Sequence, residues 1–320
     1  MPEGVLLMAY GTPASLADVE PYYTHIRRGR PPEPDQLAEL IGRYEAIGGS
    51  SPLLEISHSQ ADGLQTRLAA RLGGYLPVEL GMKHAPPFIE EGVRALRRAG
   101  VRRAIGVVLA PHYSKLSVGE YRERAARAAE EDGIQLDLVE HWHLAPGYVE
   151  LLAGRVRERL QSFPASTRER VEVLFTAHSL PVRILAAGDP YPAQLRETAQ
   201  SVARCAGSEC WSVAWQSAGR TSEEWIGPDI TQVIRERAAA GSPGVIVCPA
   251  GFTADHLEIL YDLDVQCRAL AAELELPFER TGSPNADPAF LDVLAEIVLD
   301  RRRAPMPARA SPVGRPKVML

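Results

Sequence analysis

His178 follows directly on a short apolar run, Val173-Leu174-Phe175-Thr176-Ala177. An imidazole there is either a base or metal ligand facing a cleft, or a core histidine bonded to a backbone carbonyl. In the first case its ordinary pKa of ~6.5 lets it accept a proton near neutrality. A second set of chemistry-bearing residues is Asp255-His256-Leu257-Glu258-Ile259-Leu260-Tyr261-Asp262. On a helix, Asp255, Glu258 and Asp262 fall on one face. Like charges so placed either face a cation or lie in solvent, where acids early in a helix are favoured by its dipole. Carboxylate and imidazole donors together suit a divalent iron. A third set is Tyr22-Tyr23-Thr24-His25-Ile26-Arg27-Arg28-Gly29-Arg30, with Arg43-Tyr44 and Gly48-Gly49-Ser50-Ser51-Pro52. Arginines beside aromatics suit carboxylates carried by a flat ligand; the plainer reading is a surface loop of Arg–Glu pairs. Lys83-His84 can join either group.

Two segments of the chain match in plan and indicate what positions these residues. Val5-Leu6-Leu7-Met8-Ala9-Tyr10-Gly11-Thr12-Pro13 and Val173-Leu174-Phe175-Thr176-Ala177-His178-Ser179-Leu180-Pro181 each run from an apolar strand through Ala to a polar ring, a small residue and Pro. Buried parallel strands read as continuous apolar runs, and their carboxyl ends are where open α/β sheets hold ligands. Tyr10 and His178 therefore occupy equivalent strand ends. Strand-like runs at 5–9, 78–81, 104–110, 135–140, 171–177, 210–215, 244–249 and 277–280 alternate with amphipathic stretches such as 59–72, 88–98, 118–131, 147–160, 191–206, 230–240 and 255–272. That alternation predicts α/β architecture with two similar Rossmann-like domains, each a four-stranded parallel sheet flanked by helices. The expected domains are 1–165 and 166–303, with a basic tail over 304–320 that is rich in Pro and Ala and expected to be disordered.

Composition excludes several classes. Hydrophobic residues make up 45% and charged residues 24%, the balance of a globular protein. Net charge is −6, and because the last twenty residues hold six basic groups and no acid, the first 300 carry −12. So acidic a body is unsuited to nucleic acid. No apolar run is long enough for a bilayer span and the N-terminus lacks a basic region before its apolar run, so a cytoplasmic protein is expected. Cys205, Cys210, Cys248 and Cys267 form no CxxC pair, which argues against a zinc ribbon. There is no Gly-rich dinucleotide fingerprint, Walker loop or HExxH. Trp215-Gln216-Ser217-Ala218-Gly219 has Trp where a nucleophile elbow needs Gly, and His141-Trp142-His143 offers two donors without a third.

Taken in order, these motifs carry a resemblance. Met8–Pro13, Tyr22–Arg30, Arg43–Leu53, Leu109-Ala110-Pro111-His112, Ala177–Pro181, Trp215-Gln216-Ser217, Gly227-Pro228-Asp229 and Asp255–Asp262 resemble the ferrochelatases, and most of all the coproporphyrin-type bacterial enzymes. The resemblance implies a porphyrin cleft between the two domains and insertion of Fe²⁺ with release of two protons. It implies that His178 and Glu258 hold the iron and that His178 takes pyrrole protons, with Tyr10 axial to the product iron on the opposite face. Arg27, Arg43, Tyr44, Ser51 and Tyr121 would hold propionates or line the pocket. Asp262 and His84 would form a polar path for metal or protons. Tyr10 favours coproporphyrin III over protoporphyrin IX, since protoporphyrin enzymes often carry Met there. The partners implied are coproporphyrin III, ferrous iron and a transient contact with the next haem-pathway enzyme, with the protein a monomer. No cofactor beyond the substrate iron is implied, and the cysteine set that holds an iron–sulfur cluster in some relatives is absent after Arg301. Gln266 stands where some relatives carry an acid.

Overall fold

The computed structural model describes residues 1–219 and 221–304. Eight strands form two separate sheets, all pairings parallel: β1 (Glu3–Ala9), β2 (Val78–Met82), β3 (Arg103–Val108) and β4 (Gln135–Val139) in the order β2-β1-β3-β4, then β5 (Glu172–His178), β6 (Trp211–Gln216), β7 (Val245–Cys248) and β8 (Phe278–Arg280) in the order β6-β5-β7-β8. The two orders are the same, as the paired motifs predict. In each sheet the chain steps from its first strand to one neighbour and then crosses to the other side. The switch point is therefore β1/β3 in one half and β5/β7 in the other, and that is where a doubly wound sheet opens a crevice.

The central strands are apolar throughout because helices cover both faces. Six of the seven residues of β1 are buried, and all of β5 except His178 is buried. The longest helices follow the amphipathic stretches: Val118–Glu131 and Tyr191–Ala206 have the bounds the sequence predicts, whereas Leu53–Leu72 begins six residues earlier than the apolar pattern. Two helices that the pattern does not reveal, Val19–Ile26 and Pro34–Ala46, carry the Tyr- and Arg-rich region. Few of their residues are buried, because they wall an open cleft rather than a core.

The two halves share one core. The largest buried cluster joins Leu7 and Leu64 of the first half to Phe175 and Leu195 of the second, through Tyr148 and Phe290. The last helix, Pro288–Arg303, packs on Leu53–Leu72 and Pro146–Leu160, elements of the first half. Arg301, Arg302 and Arg303, half of the basic groups in the last twenty residues, end this helix. Arg301 is ion-paired with Asp137 and Arg302 with Glu3, which lies 2.6 Å away. Beyond Ala304 the expected tail lies outside the described residues. No helix among the described residues is long and apolar enough to cross a membrane.

Candidate active site

A cleft of about 1600 Å³ opens at the carboxyl ends of both sheets, and every residue to which the resemblance gives a role lines it: Tyr10, Arg27, Arg43, Tyr44, Ser51, His84, Tyr121, His178, Glu258 and Asp262. Two glycines let the backbones come together there. Gly11, at φ +95°, would place a Cβ 2.9 Å from the Ala85 backbone nitrogen. Only glycine permits that conformation and that approach, which brings Tyr10 beside the segment after β2. His84 accordingly donates its backbone N–H to the Tyr10 carbonyl at 2.9 Å. Its ring lies 4.6 Å from that of Tyr10. In the second half, a Cβ on Gly251 would stand 2.5 Å from Ala177 Cβ. The loop after β7 thus rests directly on the end of β5, under His178.

His178 is held firmly. Its Nδ1–H donates to the Ser179 carbonyl, which fixes the tautomer and leaves Nε2 facing the cleft, and its own carbonyl accepts from the Tyr191 hydroxyl at 3.0 Å. Nε2 lies 3.5 Å from Glu258 Oε1. The other carboxylate oxygen of Glu258 is 3.6 Å from His256 Nε2. The main chain of Glu258 is itself tied down, because its carbonyl accepts from Gln216 Nε2 at 3.0 Å while Gln216 Oε1 accepts from Thr176 at 2.8 Å. One buried amide thus connects β5 and β6 to the segment carrying the acid.

The electrostatics follow from this packing. Burial alone would lower the His178 pKa, but the Glu258 charge and the bond to Ser179 outweigh it and raise it to about 9. Glu258 responds in the opposite sense: burial would raise its carboxyl, and His178 with His256 holds it well below the usual range. His178 and Glu258 therefore form an imidazolium–carboxylate pair at neutral pH. The sequence had suggested a neutral base at its ordinary pKa; the neighbouring carboxylate is the reason it differs. Tyr10, 42% exposed on the cleft wall, is a neutral phenol, pushed up by partial removal of water and by the Glu258 charge. Tyr44 is raised to about 12, mainly by burial, with its hydroxyl 3.3 Å from that of Thr12. His84 is pushed down to about 3 by burial and by Lys83, so its contact with His25, Nδ1 to Nδ1 at 3.0 Å, is between neutral rings.

The acidic face expected on one regular helix has a different form. Leu257–Ile259 is α-helical, Leu260–Cys267 is a π-helix and Arg268–Glu273 returns to α. Such π segments are rare and recur at functional sites. Glu258, Asp262 and Gln266 all line the cleft. Asp255 does not join them: it precedes the helix and accepts from Ser283 at 2.7 Å, from Asn285 at 2.8 Å and from Arg280 at 3.3 Å. Asp262 is engaged on both oxygens, by Arg43 and by the Ser217 hydroxyl at 2.5 Å. Ser217 holds a positive φ of 59°, a strained conformation that aims this hydroxyl. Burial raises the Asp262 pKa and the Glu258 charge adds to it, against the opposing pull of Arg43.

Around the rim, Arg27 stacks over Tyr23 at 5.6 Å and turns its Nε to the Arg30 carbonyl. Lys83 lies over the rings of Tyr121 and Tyr10, at 5.2 and 5.9 Å, and pairs with Glu120. Ser51 is buried at the start of Leu53–Leu72 and accepts from the Leu53 N–H at 3.3 Å. Gln216, Ser217, Tyr191 and His256 are the site residues to which the sequence gave no role. Gln216 and Ser217 stand at the end of β6, and the rule that ligands gather at strand ends would have found them. Tyr191 acts across the fold and left no local signal. His141 and His143 stay apart from the cleft chemistry, with His143 Nε2 2.9 Å from Glu197.

The assembled groups are a base and a carboxylate on one wall, a phenol on another, and cations with hydroxyls around the mouth. This suits capture of a cation and removal of protons from a flat ligand that carries carboxylates. Curated relatives agree. A coproporphyrin III ferrochelatase of Oceanobacillus iheyensis is 43% identical over 303 residues, 94% of this chain and 97% of its own. Coproporphyrin III ferrochelatase 2 of Bacillus cereus is 45% identical over 298 residues, 92% and 93% of the two chains. A ferrochelatase of Herpetosiphon aurantiacus is 44% identical over 296 residues, 92% and 97% of the two chains. Among solved structures, the sirohydrochlorin chelatase SirB of Bacillus subtilis subspecies spizizenii, in complex with cobalt, matches 94% of this chain and 95% of its own, with TM-score 0.57 at 13% identity, a likeness of fold alone. The ferrochelatase family model matches residues 2–302, and the chain belongs to the ferrochelatase family.

Proposed function

We propose that this enzyme inserts Fe²⁺ into coproporphyrin III, releasing two protons. The observation that carries the chemistry is the His178 Nε2–Glu258 pair at 3.5 Å on the wall of a cleft of about 1600 Å³, with Tyr10 lining the same cleft. The relatives named above support the substrate, and so does a rim bearing Arg27, Arg43, Ser51 and Tyr121, because coproporphyrin carries four carboxylates.

The substrate iron meets Glu258 and His178 and takes further ligands from the ring nitrogens, with Tyr10 axial to the iron of the product. As the cation engages Glu258 it neutralises the charge that keeps His178 protonated, so the imidazole loses its proton as metal arrives. While the iron rests on Glu258, the single free lone pair of His178, on Nε2, takes the pyrrole protons one after the other and passes them on. Its ring is held by the bond to Ser179, and Nε2 does not hold the iron at the moment it carries a proton. Two protons leave and one dication enters, without change of oxidation state, so the step itself calls for no resident cofactor.

His178→Ala tests the reading. A positioned base contributes about 10²–10⁴-fold, so insertion should fall by that order while coproporphyrin affinity, followed by fluorescence quenching, stays within about threefold. Unchanged insertion by the variant would end the proposal. Transfer of product to another enzyme of haem synthesis, a monomeric state and a cytoplasmic location remain part of the same proposed picture.

A further inference from the structure

Arg43 has two claims on it. A rim that holds substrate carboxylates needs its guanidinium, yet the guanidinium is ion-paired with Asp262. This pair joins helix Pro34–Ala46 to the π-helix Leu260–Cys267, across the cleft mouth. The guanidinium also lies over the Tyr261 ring, 4.7 Å from its centroid, while its Nε–H is buried without an acceptor. Its fork is therefore only partly used where it is docked, and a bidentate carboxylate would satisfy it better. Meanwhile Asp262, with 6% of its side chain exposed, lies one turn beyond Glu258 on the wall a cation must approach. While Arg43 is docked, a fixed positive charge already occupies that wall.

We propose that Arg43 is a gate shared by the two substrates: docked on Asp262 it keeps dications off the Glu258–Asp262 wall, and a substrate carboxylate that draws it away opens that wall. This rests on the porphyrin reading above and deepens it, because it makes the macrocycle the first substrate to bind. Iron bound before the porphyrin would have no ring to enter, so a gate of this kind keeps the base and the acid unmetallated until there is one. Ser217 holds Asp262 in place on its other oxygen, so that the carboxylate stays aimed at the cleft when Arg43 leaves.

The test is anaerobic calorimetric titration of Fe²⁺ into the full chain, with and without saturating copper(II) coproporphyrin III, whose filled ring cannot take up iron. A unit charge a few ångströms away in a solvent-filled cleft changes cation affinity by about tenfold. Wild type should bind Fe²⁺ about tenfold more tightly when the copper porphyrin is present. Arg43→Gln should bind tightly without it and gain nothing from it, and the Arg43→Gln/Asp262→Asn double variant should lose the gain. If Arg43→Gln does not fold, Asp262→Asn carries the test, since its Fe²⁺ affinity should no longer respond to the copper porphyrin. Equal Fe²⁺ affinity in wild type and Arg43→Gln, or a full porphyrin response in Asp262→Asn, overturns the gate. Iron insertion is measured separately: insertion without the affinity pattern sinks the gate alone, and the pattern without insertion sinks the chelatase reading.

Discussion

At the scale of single residues, the chemistry depends on a proton that His178 must lose. Its pKa is raised to about 9, against burial, by the Glu258 charge. Below that value the metal must displace the proton, so the apparent KM for Fe²⁺ should fall about tenfold per pH unit towards pH 9 and then level off. Initial rates at varied Fe²⁺ and pH check this. With Glu258→Gln the raising charge is gone, and the imidazole should titrate at ~6.5 or below, as NMR of the His178 ring would show. A midpoint still near 9 in that variant would mean that another group holds the proton. The same pairing makes the protein's stability depend on pH. The His178 share is fully present below its unfolded pKa of ~6.5 and is lost as pH rises through about 9; the Glu258 share is present above 4.5 and is lost as pH falls. The residue types at 178 and 258 were legible as base and ligand. The proton on His178 was not, because it comes from a contact spanning eighty residues of sequence.

At the scale of elements, precision comes from close backbone approach. Gly251→Ala would drive a Cβ into Ala177, beneath His178, 2.5 Å from its Cβ and 2.8 Å from its Cα. Overpacking of this kind costs about 1–3 kcal/mol. The variant should unfold at lower urea and lose more activity than stability, because the loop it displaces leads to Glu258. Urea titration beside rate measurement decides whether the two losses separate. Gln216→Ala removes the amide that joins Thr176 to the Glu258 carbonyl, and should lower insertion with little effect on porphyrin affinity. Strands were the most legible elements, since parallel strands covered on both faces must be continuously apolar, as Val5–Ala9 and Val173–Ala177 are. Helices Val19–Ile26 and Pro34–Ala46 were not, for the opposite reason: a cleft wall of Tyr and Arg has no apolar stripe. The π-helix was also hidden, because the spacing of Glu258 and Asp262 fits an ordinary helix nearly as well.

At the scale of the molecule, two copies of one strand order face a single cleft and are joined by a common core. The duplication could be read from the matched ends at Tyr10 and His178, but the coupling between halves could not. It comes from the shared core and from the last helix, whose Arg301 and Arg302 reach back to Asp137 and Glu3. Asp137 has 1% of its side chain exposed and keeps Arg103 at 3.4 Å when Arg301 is lost. Arg301→Ala should therefore cost about 1–3 kcal/mol, the range for a buried charged group losing one partner, rather than unfold the protein. Equilibrium unfolding in urea at pH 7 measures it. The most direct measurement of the whole account is anaerobic Fe²⁺ insertion by the purified protein, with coproporphyrin III and protoporphyrin IX compared side by side by absorbance. The account predicts fast insertion into coproporphyrin III and at least about tenfold slower insertion into protoporphyrin IX, a difference of about 1.4 kcal/mol in barrier. Tight binding of both porphyrins with insertion into neither would contradict it.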